Sequence, residues 1–183
     1  MHFTEGEWLI YYTQYSMVNV RTVSLNLPAV RLSVALPIAA FFIPLFIPSP
    51  QIVVGSLVNA LLVFYALKLP SKSYTFVCLL PSVGALGNGL LFGISTPFLM
   101  YLLPGIWVGN LLFLWGISRL CGHAMGIRIG IGATIKSLII FFATYVLVKL
   151  HVVPSALLIP MGAIQIVTAV IGGTAAEMIH TRI

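Results

Sequence analysis

The sequence predicts an all-α, polytopic membrane protein: one bundle of about six transmembrane helices with both termini cytoplasmic. Three observations predict it. Of 183 residues, 60% are hydrophobic and 7% charged, against about 25% charged in a soluble domain. Mean hydropathy is +1.12. The apolar residues come in blocks with the charges between them, and nine Lys/Arg with three Asp/Glu cannot coat an aqueous surface of this size.

The first thirty residues stand apart from the rest. Trp8, Tyr11, Tyr12 and Tyr15 accompany Glu5, Glu7, Asn19, Arg21 and Asn26. The stretch from Trp8 to Val20 is too short and too polar to span, and Trp and Tyr favour the membrane–water interface. Residues 1–30 are therefore expected to form an interfacial or disordered arm, with a short amphipathic helix on the bilayer as its structured form. The opening does not fit a cleavable signal, because Glu5 and Glu7 come early and no small-residue cleavage site follows.

A spanning helix takes roughly 20 apolar residues, so residues 31–183 hold about six spans with tight loops and no soluble domain. The first is expected from Leu32 to Ile47, shortened and kinked by Pro37 and Pro44 and ended by Pro48-Ser49-Pro50. The second runs from Ile52 to Leu67, before the Lys68–Lys72 loop. The third runs from Tyr74 to Phe92, with Pro81 inside and Gly84, Gly87 and Gly89 after it. The fourth runs from Pro97 to Ile117, with Pro104 inside. A basic loop from Arg119 to Arg128 precedes the fifth, Ile129 to Val148. Lys149 to Pro154 precedes the sixth, Ser155 to Met178. With the N-terminus inside, the cytoplasmic set is Arg21, Arg31, Lys68, Lys72, Arg119, Arg128, Lys136 and Arg182, and only Lys149 lies outside. That is the bias of the positive-inside rule. The net charge of +6 then reflects orientation and anionic lipid heads rather than nucleic acid.

Composition also excludes chemistry. Asp is absent, and Glu5, Glu7 and Glu177 are the only Glu residues, so paired-carboxylate catalysis, acidic metal cages and Walker-type nucleotide sites are ruled out. Cys78 and Cys121 have no CxxC spacing and read as small membrane-buried thiols. His2, His123, His151 and His180 fall on both sides of the membrane and do not converge on a metal. No Gly-x-Ser-x-Gly motif suggests an intramembrane hydrolase. An enzyme, a resident cofactor and a metal site are not expected.

Buried polar groups are the candidates that remain. Asn59 and Asn110 fall near mid-membrane, Asn88 and Gln165 toward the outer half, each on a different span. Each amide needs partners away from water. Interhelical glue accounts for any one of them; four together suggest a shared polar cavity for a small, largely uncharged ligand. Gln51, Tyr101, Trp107, Tyr145, Lys149 and His151 lie near the outer mouth or the wall below it. Tyr101 and Tyr145 also suit an aromatic belt, and Lys149 can snorkel. Glu177 is expected near the inner interface, paired with Arg182 or Lys136. Ala35 and Ala39, four residues apart on the first span, offer a flat face for close helix approach, either within the bundle or against another protein.

Six spans, both ends inside and an Ala-xxx-Ala face on the first span resemble the substrate-binding S components of energy-coupling-factor transporters. Gly55-Ser-Leu-Val-Asn59-Ala, Pro81-Ser-Val-Gly-Ala-Leu86 and Pro104-Gly-Ile-Trp-Val-Gly-Asn110 look like segments of a prokaryotic branch often mislabelled as iron hydrogenases. Two separated Cys could not hold an iron–sulfur cluster. The resemblance covers about residues 31–180. It implies a prokaryotic plasma-membrane subunit that captures a vitamin-like small molecule or a metal ion and docks through Ala35 and Ala39 on a transmembrane scaffold driven by two ATPases. Pro37 between the two Ala residues departs from the family's face. The resemblance places the ligand pocket at Gln51, Asn88, Tyr101, Trp107 and Gln165, with Asn59 and Asn110 at its floor. Met1-His2 is similar to the metal-chelating start of cobalt and nickel S components, but the topology expected here gives it neither an outside N-terminus nor a further His. Two other readings stay open: a structural subunit of a larger membrane complex with no solute of its own, and a small independent channel or carrier. No inverted repeat is visible in favour of the last.

Overall fold

The computed structural model describes residues 27–47, 50–69 and 74–182, and every regular element among them is helical. Helix α1 covers Leu27–Phe46, α2 Gln51–Lys68, α3 Tyr74–Asn88, α4 Leu99–Arg119 and α5 Met125–Lys149. The last apolar block divides into a short α6, Leu158–Met161, and α7, Ala163–His180. Two 3-10 turns, Gly93–Phe98 and Ser155–Leu157, lead into α4 and α6. The expected arm over 1–30, including Met1-His2, lies outside the described residues apart from the start of α1.

Four stretches are long and apolar enough to cross a membrane: Gln51–Lys68, Gly93–Arg119, Met125–Lys149 and Ser155–His180. Two apolar helices are shorter, Arg31–Phe46 and Tyr74–Asn88. The exposed surface is apolar to match. Val34, Ile38, Phe42 and Phe46 make an exposed row at four-residue spacing on α1, and Leu138 and Phe142 do the same on α5. Such rows would be a liability in water and are ordinary against lipid.

Several boundaries depart from those the sequence suggests. α1 starts at Leu27 rather than Leu32, since Pro28 falls in the first turn, where a missing N–H costs nothing. α3 stops at Asn88 rather than Phe92. Gly89 turns the chain at φ 74°, and Asn88 Oδ1 accepts the Leu90 N–H at 3.0 Å. α5 starts at Met125, so Arg128 lies in its first turn rather than in a loop, and its guanidinium caps the Ile117 carbonyl at the end of α4. Cys121 is exposed in the short turn between them, not within a span. The sixth block is broken at Gly162 (φ −111°, ψ −94°), two residues after Pro160.

The helices follow one another round the bundle in the order α1, α3, α4, α5, α7, α2, and α2 also reaches across to α4. Glycines set the tightest approaches. A Cβ on Gly172 of α7 would lie 2.7 Å from Ala60 N and 2.8 Å from Asn59 Cβ, besides striking the Ser56 carbonyl. A Cβ on Gly84 of α3 would strike the Phe41 carbonyl of α1. These are the close backbone contacts that small residues permit where lipid supplies no hydrophobic drive. Ala40 of α1 is fully buried, whereas Ala35 is exposed and Ala39 half-buried.

Helices α2, α4 and α7 end, and α3 and α5 begin, at one end of the bundle. Tyr74 Oη donates to the Ala66 carbonyl at 3.4 Å and shares a 2.5 Å hydrogen bond with Ser118 there. Lys68, Arg119, Arg128 and Arg182 gather at this basic end, and Lys149 lies at the other. Lys68, Arg119 and Lys149 each cover an aromatic ring four residues back on the same helix, at 5.5–5.8 Å.

Gly172→Ala should lower the thermal midpoint in detergent, because overpacking a tight contact costs about 1–3 kcal/mol. Gly130→Ala, with nothing within 4 Å of its Cβ position, should leave the midpoint unchanged or slightly raised.

Candidate solute-binding site

Buried polar residues form a layer across the bundle. Along α4 the order is Leu99 and Leu102, then Asn110, then Phe113, Leu114 and Ile117; along α5 it is Ile129 and Ala133, then Lys136 and Ser137, then Ile140. Each helix thus runs from one apolar cluster to a second, with polar residues between. Asn59 of α2 and Thr168 of α7 lie in the same layer, 2% and 1% exposed.

Lys136 is the centre of this layer. It stands near the midpoint of α5 and is 3% exposed. Its Nζ donates to Asn59 Oδ1 at 2.5 Å and lies 5.4 Å from the centre of the Phe113 ring. Asn59 then donates through Nδ2 to the Gly55 carbonyl (2.8 Å) and to Thr168 Oγ1 (3.2 Å). Because the Gly55 carbonyl only accepts, the amide has one orientation, with Oδ1 toward the amine. Thr168 Oγ1 passes its own proton to the Gln165 carbonyl at 3.2 Å. One chain of donors therefore joins α5, α2 and α7.

This placement corrects the sequence reading of Lys136 as a cytoplasmic cation. It belongs to no loop, and the orientation count loses it. Nor does it pair with Glu177, which lies nine residues beyond Thr168 along α7, ~14 Å at 1.5 Å per residue. Glu177 has no ion pair among the described residues. The signal for Lys136 was in the sequence: a lone ionisable residue inside an apolar helix is a functional candidate by default.

Beside the layer is a cavity of about 80 Å³. Lys136, Asn59 and Asn110 line its inner part, and Gln51, Gln165 and Phe92 line it toward the end away from the basic residues. Asn110 donates through Nδ2 to the Cys78 carbonyl at 3.0 Å, in the turn that Pro81 loosens, while its buried Oδ1 has no partner. Gln51 Nε2 donates to the Pro160 carbonyl at 3.2 Å and Ser137 Oγ to the Gly162 carbonyl at 2.7 Å. Both carbonyls flank the break at Gly162, so the cavity wall contains irregular backbone whose polar groups side chains satisfy.

Of the residues expected at the site, Gln51, Asn59, Asn110 and Gln165 come together at this cavity. Three do not. Asn88 donates to the Leu45 carbonyl at 2.7 Å and ties the end of α3 to α1. Trp107 Nε1 donates to Ser82 Oγ at 2.8 Å, which makes it a tie between α4 and α3. Tyr101 is 48% exposed on the outer surface of α4. Helical phase explains the difference: Trp107 and Asn110 are three apart and share the face toward α3, whereas Tyr101, nine residues before Asn110, falls about half a turn away from it.

Leu91 and Phe92 line the cavity where α3 gives way to the 3-10 turn. They lie between Gly89 and Gly93, which both hold positive φ (74° and 56°). The Phe92 N–H is held by Thr96 Oγ1 at 2.9 Å. The Gly93 N–H bonds the Leu90 carbonyl at 2.9 Å and the Ser95 N–H the Phe92 carbonyl at 3.1 Å, so this short segment between two glycine turns is held by local bonds.

No family model matches this sequence, and no curated protein or solved structure is similar to it.

Trp107→Phe should cost about 1 kcal/mol of stability through the lost bond to Ser82, seen as a lower thermal midpoint. Tyr101→Leu should leave the midpoint within error.

Proposed function

We propose that the protein is the substrate-capture subunit of a micronutrient uptake transporter, similar in role to the S components of energy-coupling-factor systems. The observation that carries this reading is the convergence of Gln51, Asn59, Asn110, Lys136 and Gln165, from four helices, on one cavity inside an apolar bundle. Polar groups so deep in lipid are costly to keep and mark binding or transport pathways. The cavity of about 80 Å³ accepts a small solute or the polar head of a larger one, such as a vitamin-like molecule.

In this reading all six apolar blocks cross a prokaryotic plasma membrane, the two shorter helices included. The end bearing Lys68, Arg119, Arg128 and Arg182 is cytoplasmic, and the cavity opens toward the other side, in keeping with uptake. The exposed Ala35 and half-buried Ala39 support a docking face for a transmembrane scaffold coupled to two ATPase subunits. The protein itself is no enzyme and carries no cofactor: its part is to bind, tilt and release.

A structural subunit without a solute is the second reading. It is favoured by Asn88 and Trp107, whose polar atoms serve helix–helix bonds. The two readings part on one experiment. The full chain, purified in mild detergent from cells grown in rich medium, is denatured, and the released small molecules are identified by mass spectrometry. A capture subunit releases one compound in stoichiometric amount. A blank, repeated after incubation with a vitamin mixture, sinks the proposal in favour of the structural subunit. Ala35→Trp should leave the retained solute unchanged while abolishing co-purification of the ATPase subunits.

A further inference from the structure

The bonding around Lys136 leaves a donor unused. Of its three N–H groups, one meets Asn59 Oδ1 at 2.5 Å and one can face the Phe113 ring; the third has no acceptor among the described residues. An ammonium held at mid-bundle is costly unless an anion or several acceptors surround it. Asp is absent from the sequence, and Glu177 lies far along α7. One neutral amide oxygen and one ring face do not balance a full positive charge.

Asn110 supplies an independent observation. Its Nδ2 is committed to the Cys78 carbonyl, so the amide cannot flip, and its Oδ1 is a buried acceptor without a partner. The residue is 3% exposed and lines the same cavity as Lys136. An amine donor and a neutral acceptor therefore border a space of about 80 Å³.

We infer that the solute presents a carboxylate to Lys136 Nζ and, beside it, a hydroxyl or N–H to Asn110 Oδ1: a small organic acid, or a larger solute with such a head. This rests on the capture reading proposed above and names the chemical class that the site selects. A single ammonium matches the single charge of a carboxylate better than the double charge of a phosphate. The other polar groups of the lining, on Gln51, Asn59, Ser82 and Gln165, are neutral.

The test uses the full-length protein in detergent and chloride-free buffer, with the thermal midpoint followed against lactate, propionate, lactamide, chloride and inorganic phosphate. Propionate lacks the donor of lactate, and lactamide lacks its charge. Lactate should raise the midpoint at millimolar concentration, propionate less, and lactamide should bind about tenfold more weakly or worse, the loss of a charge-assisted hydrogen bond. Asn59→Asp sets a fixed carboxylate against Nζ. It should raise the midpoint of the unliganded protein and abolish the lactate response, and Lys136→Met should abolish that response as well. Should the Met variant fail to fold, the Asp variant decides alone. An acidic solute released from the purified protein, together with the lactate response, supports the inference. Equal binding of lactamide and lactate, an undiminished lactate response in Asn59→Asp, or the same protection by chloride or phosphate alone overturns it. A stoichiometric neutral solute also overturns it and leaves the capture reading intact. No released solute and no response to any probe overturns both.

Discussion

The bond from Lys136 Nζ to Asn59 Oδ1 is the constraint around which the bundle is arranged. An amine near the midpoint of a lipid-embedded helix must be surrounded by acceptors, and the surrounding groups are fixed in turn. Asn59 can offer its oxygen to Lys136 only by turning both amide protons to Gly55 and Thr168. That arrangement demands that α2 and α7 run close together, and Gly172 allows it, since any side chain there would collide with the backbone of α2. The local need of one charged group thus propagates into a helix–helix distance. Removing one partner of such a buried set while leaving the other unsatisfied costs about 1–3 kcal/mol, and more where the remaining group is charged.

Irregular backbone is concentrated at the same level. Pro81 loosens a turn of α3 where Asn110 binds the Cys78 carbonyl, and Gly162 breaks the last apolar block where Gln51 and Ser137 bind the flanking carbonyls. In lipid, irregular backbone persists only where protein groups satisfy its carbonyls, and that of Gly162 accepts the Gln165 N–H as well as the Ser137 hydroxyl. Each polar side chain spent in this way stiffens the wall, and the groups left over, on Lys136 and Asn110, border the cavity. The wall is built of bonded groups, and Leu91 and Phe92 join it from a short segment between Gly89 and Gly93.

Much of the architecture could be read from the sequence, because hydropathy blocks, Pro punctuation and Gly positions act locally. Four of the seven residues expected at the site, Gln51, Asn59, Asn110 and Gln165, meet at the cavity, and all four are amides within or at the start of spans. Tyr101 and Trp107 were assigned by depth alone. Depth does not say which way a helix faces, and a phase error of two or three residues turns a side chain from the interior to lipid. Asn88 was misplaced because the third helix ends there, a matter settled by Gly89 and by the amide's own bond to Leu90. Lys136 was misread because counting every cation toward orientation overlooks one that lies inside a span. The break at Gly162 is absent from the sequence reading although its signal is local: Pro160 and Gly162 lie two residues apart inside the block from Ser155 to Met178, and a proline there removes a helix bond.

The most direct measurement is an experimental structure of the protein extracted from its native membrane into lipid nanodiscs without added ligand, at a resolution that separates solute from water. The account predicts a bound organic molecule in the cavity, within hydrogen-bond distance of Lys136 Nζ and Asn110 Oδ1. A cavity holding only water or filled by side chains, with Lys136 bonded to Asn59 alone and no density after soaking with the candidate acids, would contradict it and leave the polar layer as interhelical glue.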